Sequence, residues 1–304
     1  MDLYFEMYSG IAGDMTIGAL LDLGASKEKL VEGINSLGLD GYELVFERAM
    51  KNGIDSYNFD VIFEDHDHHH HNHEHSHSHG HDHCHNHDHE HNHEHTHDHG
   101  HHHSHEHCHD HDHDHSHEHN HNHEHSHDHV HRNLEVITEI INSSDLNENI
   151  KKNALGIFDI IGDAEAKAHG IAKSEVHFHE VGAIDSIIDI VGTCILLDDL
   201  GANNIYFSDL FEGHGYQVCA HGPMPIPVPA VANILADSDV NLNFIGEEGE
   251  HITPTGAAIV KYFYNKAPGS FKIKNIGLGA GNKDFEKTTN ILRVMEIERD
   301  KKKL

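Results

Sequence analysis

The sequence predicts an α/β fold, with α+β as the alternative, in one folded unit interrupted by a long disordered insertion. Three observations lead there. Strand-like alternation and capped helical stretches follow one another up to residue 64 and resume after residue 131. Neither flank alone carries a convincing complete core, which argues for one unit. Between them, 36 of the 42 histidines lie from His66 to His131, interleaved with Asp, Glu, Asn, Ser and Gly. Such a composition cannot bury enough apolar surface to fold without a partner. The expected organisation is an N-terminal α/β segment at 1–64, a His-rich metal-binding insertion at 65–131 and the rest of the domain at 132–304. Loop-closure entropy grows slowly with length, so an insertion of this size is tolerated between neighbouring elements. Two domains joined by a metal-binding linker are the competing layout.

The elements read in order as follows. Residues 2–8 form a short strand, and Ser9-Gly10-Ile11-Ala12-Gly13-Asp14 a tight turn. A helix from Met15 to Leu23 ends at Gly24, and Ser26 caps a second one through Leu37. Tyr42 to Ala49 and Tyr57 to Phe63 alternate as strands about a turn at Asn52-Gly53. After the tract, Asn133 to Ile141 is helical. Ser144 or Asp145 caps a further helix, amphipathic from Asn149 to His169. A short strand spans Val176 to Glu180. The apolar stretch from Asp185 to Leu200 is a buried helix ended by Gly201, and Ile205 to Asp209 is a strand. Alternate prolines from Pro223 to Pro229 favour an extended backbone. Helices follow at Ala230 to Leu235 and Thr255 to Tyr264, then Gly-rich turns and a last strand near Leu292 to Ile297.

Charge narrows the function. Asp and Glu outnumber Lys and Arg 52 to 20, for a net charge of −32. Only 16 of the acidic residues lie between Glu64 and Asp128, so the folded part is acidic as well. A nucleic-acid surface would show clustered Lys and Arg instead. No apolar run reaches membrane-spanning length, and the opening strand lacks a basic leader, so a cytoplasmic protein is expected. The four cysteines, Cys84, Cys108, Cys194 and Cys219, do not read as a disulfide framework.

The tract itself is a dense array of borderline metal ligands. Its candidates include His66, His68, His69, His70, His71, His101, His102 and His103, with Cys84 and Cys108 as softer donors. Outside it, the turn bearing Ser9, Gly10, Gly13 and Asp14 lies between strand and helix. Its free N–H groups suit a phosphate, and Asp14 suits a metal-bridged one; alternatively Asp14 is simply the helix N-cap. In an extended strand His177 and His179 share a face, with Glu180 and Asp185 close in sequence. Asp185 and Asp189 share a face of an otherwise apolar helix, which is costly without a cation or donors. The plainer alternative is packed histidines and a capping Asp185. Glycines flanking His214 and His221 leave both rings accessible to a metal, or are only turns. Thr253, Thr255 and Gly256 form an anion-receiving helix start or a plain cap. Gly277 to Gly281, followed by Lys283, reads as a phosphate-wrapping loop or a flexible turn.

Several of these segments, in one order, resemble the LarC family of nickel-insertion proteins. They are the opening from Tyr8 to Met15, the stretch from Glu165 to Gly170, and the run from His177 to Gly192. Gly213 to Pro225, His251 to Ala258, the Gly277 to Gly281 block and Asn290 to Arg293 complete the set. The resemblance implies insertion of nickel(II) into pyridinium-3,5-bisthiocarboxylic acid mononucleotide, with nickel bonded to both sulfurs and to the ring carbon between them. It implies loss of a ring proton, and CTP hydrolysis with Mg or Mn. Against that chemistry, His177, His179, Glu180 and Asp185 are the candidates for metal handling or base work. Ser9, Gly10, Gly13, Asp14, Thr253, Thr255 and Gly256 are those for phosphate or metal-phosphate contact. Family members commonly continue for another hundred or so residues, in some cases joined through a ribosomal frameshift. The resemblance therefore implies a C-terminal LarC part, associated with nucleotide binding, as partner. Homo-oligomerisation is a further expectation. The competing functions are a non-catalytic nickel or zinc store or metallochaperone, and a pH-responsive interaction segment.

Overall fold

The computed structural model describes residues 1–63, 132–178, 184–219 and 222–299. Its central feature is a six-stranded mixed sheet. In chain order the strands are β1 (Asp2–Glu6), β2 (Tyr42–Lys51), β3 (Ile54–Phe63), β4 (Arg132–Asn133), β5 (His177–Phe178), β6 (Asn204–Phe207) and β7 (Leu210–His214). They continue with β8 (Tyr216–Cys219), β9 (Gly222–Pro225), β10 (Leu242–Glu248), β11 (Phe271–Ala280) and β12 (Ile291–Arg299). The large sheet has the order β2-β3-β11-β12-β1-β6. The β1–β6 and β3–β11 pairs are parallel, and the others antiparallel. Three small pairs, β7–β10, β8–β9 and β4–β5, stand apart from it.

The helices are α1 (Gly13–Leu23), α2 (Lys27–Asn35), α3 (Leu134–Ser143), α4 (Glu148–His169), α5 (Ile184–Asp199), α6 (Pro229–Leu235) and α7 (Pro254–Phe263). Among the described residues none is long and apolar enough to cross a membrane. Helix α1 is buried on nearly every side. That is the pattern of a helix enclosed between layers: it lies between the sheet strands β3, β11 and β12 and helix α5. Apart from Asp189 and Thr193, helix α5 is apolar from Ile187 to Leu197 for the same reason, since α1, α2, α4 and α7 all pack on it. Helix α4 is amphipathic and buries Ile150, Ala154, Ile157, Phe158 and Ile161.

Local signals explain most helix ends. Ser26 accepts the N–H of Lys29, and Gly24 and Gly170 close α1 and α4 in left-handed conformation. Asn52 and Gly53, with φ of 50° and 79°, turn the β2–β3 hairpin. Two expectations change. The cap of α4 is Asn147, which accepts the N–H of Ile150, rather than Ser144 or Asp145. The glycine-rich block is not a loop: Gly277 and Gly279 belong to β11. A Cβ at Gly279 would stand 1.9 Å from the carbonyl oxygen of Met15, and one at Gly277 2.1 Å from that of Ala19. Glycine here lets a strand lie directly against the backbone of α1.

Candidate functional site: an acidic cleft

The start of α1 points into a cleft of about 400 Å³. Asp14 reaches it from α1, Asp60 from β3, and Asp185 and Asp189 from the first turns of α5. Glu250, Thr253 and Thr255 form the wall before and at the start of α7, and Gln217 and Cys219 come from β8. Asn282 closes the far side. The described lining residues include five carboxylates and no Lys, Arg or His. Lys283 faces Glu250 at 3.8 Å.

Tight backbone packing fixes the segment that leads into the cleft. Gly10, with φ +84°, is held by a turn to Met7. Ile11 then bridges to Ile252, donating to His251 O at 2.9 Å and accepting from Thr253 N at 3.2 Å. A Cβ at Gly10 would stand 2.0 Å from His251 O, and one at Gly256 2.3 Å from Ile11 O. These two glycines are filled against protein. At Gly13 the neighbour is Asp189, whose Oδ2 lies 2.4 Å from where a Cβ would be. The backbone N–H of Asp14 donates to the Asp189 carboxylate. Ala12, not Asp14, occupies the N-cap position, so the plain capping role does not apply to Asp14.

Crowded, partly buried carboxylates resist ionisation. Burial, reinforced by the charge of Asp60, pushes Asp14 up to about 6. Burial and the charges of Asp14, Asp185 and Asp60 hold Asp189 well above the ordinary carboxylate range. Asp185 is raised by burial and by Asp60, and its buried Oδ1 has no hydrogen-bond partner. Such a group is stabilised by a cation. Among the described residues, however, no three or more His, Cys, Asp or Glu side chains are arranged to hold a metal ion as they stand. The cleft is an open acidic basin whose oxygen donors suit a divalent cation still carrying other ligands.

A buried carboxylate supports the wall from behind. Glu212, on β7, is fully buried and accepts the N–H of His251 at 2.7 Å and of Gly213 at 2.9 Å, while its Oε2 is unpartnered. Burial pushes it up to about 7. His251 stacks on Phe285 at 3.9 Å, and its ring nitrogens face Gly249 O and Thr288 Oγ1.

Of the residues singled out in the sequence, Gly13, Asp14, Asp185, Asp189, Thr253 and Thr255 meet at this cleft. Thr253 accepts the N–H of Gly256 at 3.2 Å as the cap of α7. Ser9, Gly10 and Gly256 lie outside the lining, and His214 ends β7 at the surface. The backbone of His177 pairs with Asn133. His179, Glu180 and His221 lie outside the described residues, as does the whole tract with its histidines, Cys84 and Cys108. Asp60 escaped sequence reasoning. Asp189 was singled out with Asp185 as an acidic pair on one helix face, and Glu250 opens the stretch that leads to Thr253.

An acid-lined cleft on an α/β scaffold raises the local concentration of cations. The chain belongs to the nickel insertion protein family, whose sequence profile matches residues 3–304. A relative from Alkaliphilus metalliredigens, named pyridinium-3,5-bisthiocarboxylic acid mononucleotide nickel insertion protein, is 43% identical over 298 residues, covering 97% of this chain and 60% of its own length. One of the same name from Staphylococcus epidermidis is 36% identical over 301 residues, covering 97% and 59%. A putative nickel insertion protein from Dictyoglomus thermophilum is 35% identical over 295 residues, covering 96% and 59%. The chain thus spans about three fifths of the length of these curated relatives. No solved structure matches it.

Proposed function

We propose that this chain carries the metal-handling part of a nickel chelatase of the lyase class. It inserts nickel(II) into pyridinium-3,5-bisthiocarboxylic acid mononucleotide, together with a C-terminal part of the kind its longer relatives contain. The observation that carries the reading is the convergence of Asp14, Asp60, Asp185, Asp189 and Glu250 on one cleft in a chain of this family. Carboxylate oxygens hold nickel(II) weakly, whereas thiocarboxylate sulfurs are softer ligands, so transfer from cleft to substrate runs downhill. An unfinished ligand set favours this use, because a closed site would retain its ion. In the product nickel bonds both sulfurs and the ring carbon between them, and that carbon gives up its proton. The same oxygen donors fit Mg or Mn, which would accompany CTP bound with the C-terminal part. The His-rich stretch acts as a supply of nickel to the cleft.

Reconstitution tests the reading. The chain, with and without a C-terminal part, is mixed with the dithiocarboxylate nucleotide, nickel, Mg and CTP. The nickel–carbon product is expected in the complete mixture, and its yield falls at least tenfold in Asp60→Asn and Asp189→Asn variants. Product formation at the wild-type rate by both variants would exclude the cleft.

A further inference from the structure

A second cavity, of about 210 Å³, opens between the end of α4, the β8–β9 hairpin and the start of α6. Its walls are mainly apolar and include Met224, Val228 and Pro254; Glu165 and His169 bring an ionisable pair to it. Cys219 and Pro254 line both this cavity and the acidic cleft, so the two spaces share a wall. An apolar recess with one convergent polar pair suits a flat ring, and it is too small for a whole nucleotide.

The polar pair is of the kind that can serve as a proton acceptor and its orienter. Glu165 and His169 are four residues apart on α4, and Glu165 Oε2 lies 3.5 Å from His169 Nε2. A carboxylate on that side favours the tautomer with hydrogen on Nε2, which leaves Nδ1 as the basic nitrogen. His169 is the last residue of a helix of 22 residues. The His169 side chain is 33% exposed, so a proton it receives can pass on to water.

We propose that this second cavity is the subsite for a planar, cationic heteroaromatic ring, and that His169, oriented by Glu165, removes the ring proton displaced by the metal. The idea rests on the function proposed above. In the step, the ring C–H bond breaks and its electron pair forms the nickel–carbon bond. The proton goes to His169 Nδ1, and nickel remains divalent, so no oxidant or reductant is required. The shared wall of Cys219 and Pro254 sets the recess directly beside the cleft whose carboxylates would hold the ion.

Two measurements test this. In the first, nicotinic acid mononucleotide serves as a pyridinium probe for binding to the whole chain, followed by NMR line broadening. Met224→Trp, which fills the recess, is expected to weaken probe binding at least tenfold while nickel uptake measured by dialysis is unchanged. In the second, the reconstituted insertion is followed under single-turnover conditions. His169→Asn is expected to slow nickel–carbon bond formation about 100-fold with nickel uptake unchanged. Glu165→Gln is expected to lower the rate less and to shift its pH profile. Insertion at the wild-type rate by His169→Asn overturns the base assignment, and undiminished probe binding by Met224→Trp overturns the ring subsite. If the wild-type mixture forms no product, the proposed function fails, and with it the base; the ring subsite is then judged by probe binding alone.

Discussion

The carboxylate of Asp189 rests against Gly13, with its Oδ2 only 2.4 Å from where a Cβ on residue 13 would stand. The contact joins the first turn of α1 to α5 and sets where Asp189 faces the cleft.

Gly13→Ala therefore moves a carboxylate without removing it. Nickel affinity of the cleft, measured by calorimetry on the chain lacking residues 65–131, is expected to fall about 10-fold or more, as when a group that orients a ligand is lost. Stability should drop by about 1–3 kcal/mol from overpacking, read by urea unfolding.

The cleft also predicts a pH dependence. Asp14 has a folded value of about 6, raised from 3.8 by burial first and the Asp60 charge second. The native state then holds this proton more tightly than the unfolded chain does. Its contribution to stability is greatest below about pH 4 and declines as pH rises through about 6. Asp14→Asn is expected to raise the melting temperature at pH 7.5 by roughly 4 °C relative to wild type, and to change it little at pH 4. Added nickel should stabilise wild type at pH 7.5 more than it stabilises the variant.

Glu212 separates hydrogen bonding from charge. Glu212→Gln keeps an acceptor for the N–H groups of His251 and Gly213. Since burial raises Glu212 to about 7, its charged form destabilises the fold above that pH. The Gln variant should melt higher than wild type at pH 8, and the gap should narrow at pH 5.5. Glu212→Ala orphans both donors and is expected to cost about 2–4 kcal/mol, measured by chemical denaturation.

Gly279→Ala places a methyl group 1.9 Å from Met15 O at the contact of β11 with α1. A loss of about 3 kcal/mol or more is expected, visible as a lower urea midpoint or loss of soluble protein.

Deletion of residues 65–131 tests the supply role of the tract. Insertion should persist at saturating nickel and fail when nickel is scarce. Complete loss at saturating nickel would sink that division of labour.

The helices were legible because their signals are local. Ser26, Gly24 and Gly170 act within one turn of the ends they mark. Asp14, Asp185, Thr253 and Thr255 were legible as candidates for a related reason, since each sits at a helix start. Asp60 was hidden because an Asp on an alternating strand looks like any solvent-facing residue; its role depends on α1 and α5 arriving opposite. Gly277 and Gly279 were misread because a glycine that admits a neighbouring backbone looks the same in sequence as one that makes a turn. The pairing of β7 with β10 joins distant segments and left no local trace.

Strand β3 pairs with β11 through Tyr57–Gly279 and Asn58–Ala280, and the His-rich stretch begins just after β3 ends at Phe63. Asp60 lies on the same strand, ahead of that exit. The free-energy penalty for closing a flexible loop rises by only about 0.6 kcal/mol for each doubling of its length. The number of histidines attached beside Asp60 is therefore nearly uncoupled from the integrity of the fold. On the proposed supply role, ligand dose is then an inherited dial that selection can turn as metal abundance changes, while the residues forming the cleft stay as they are.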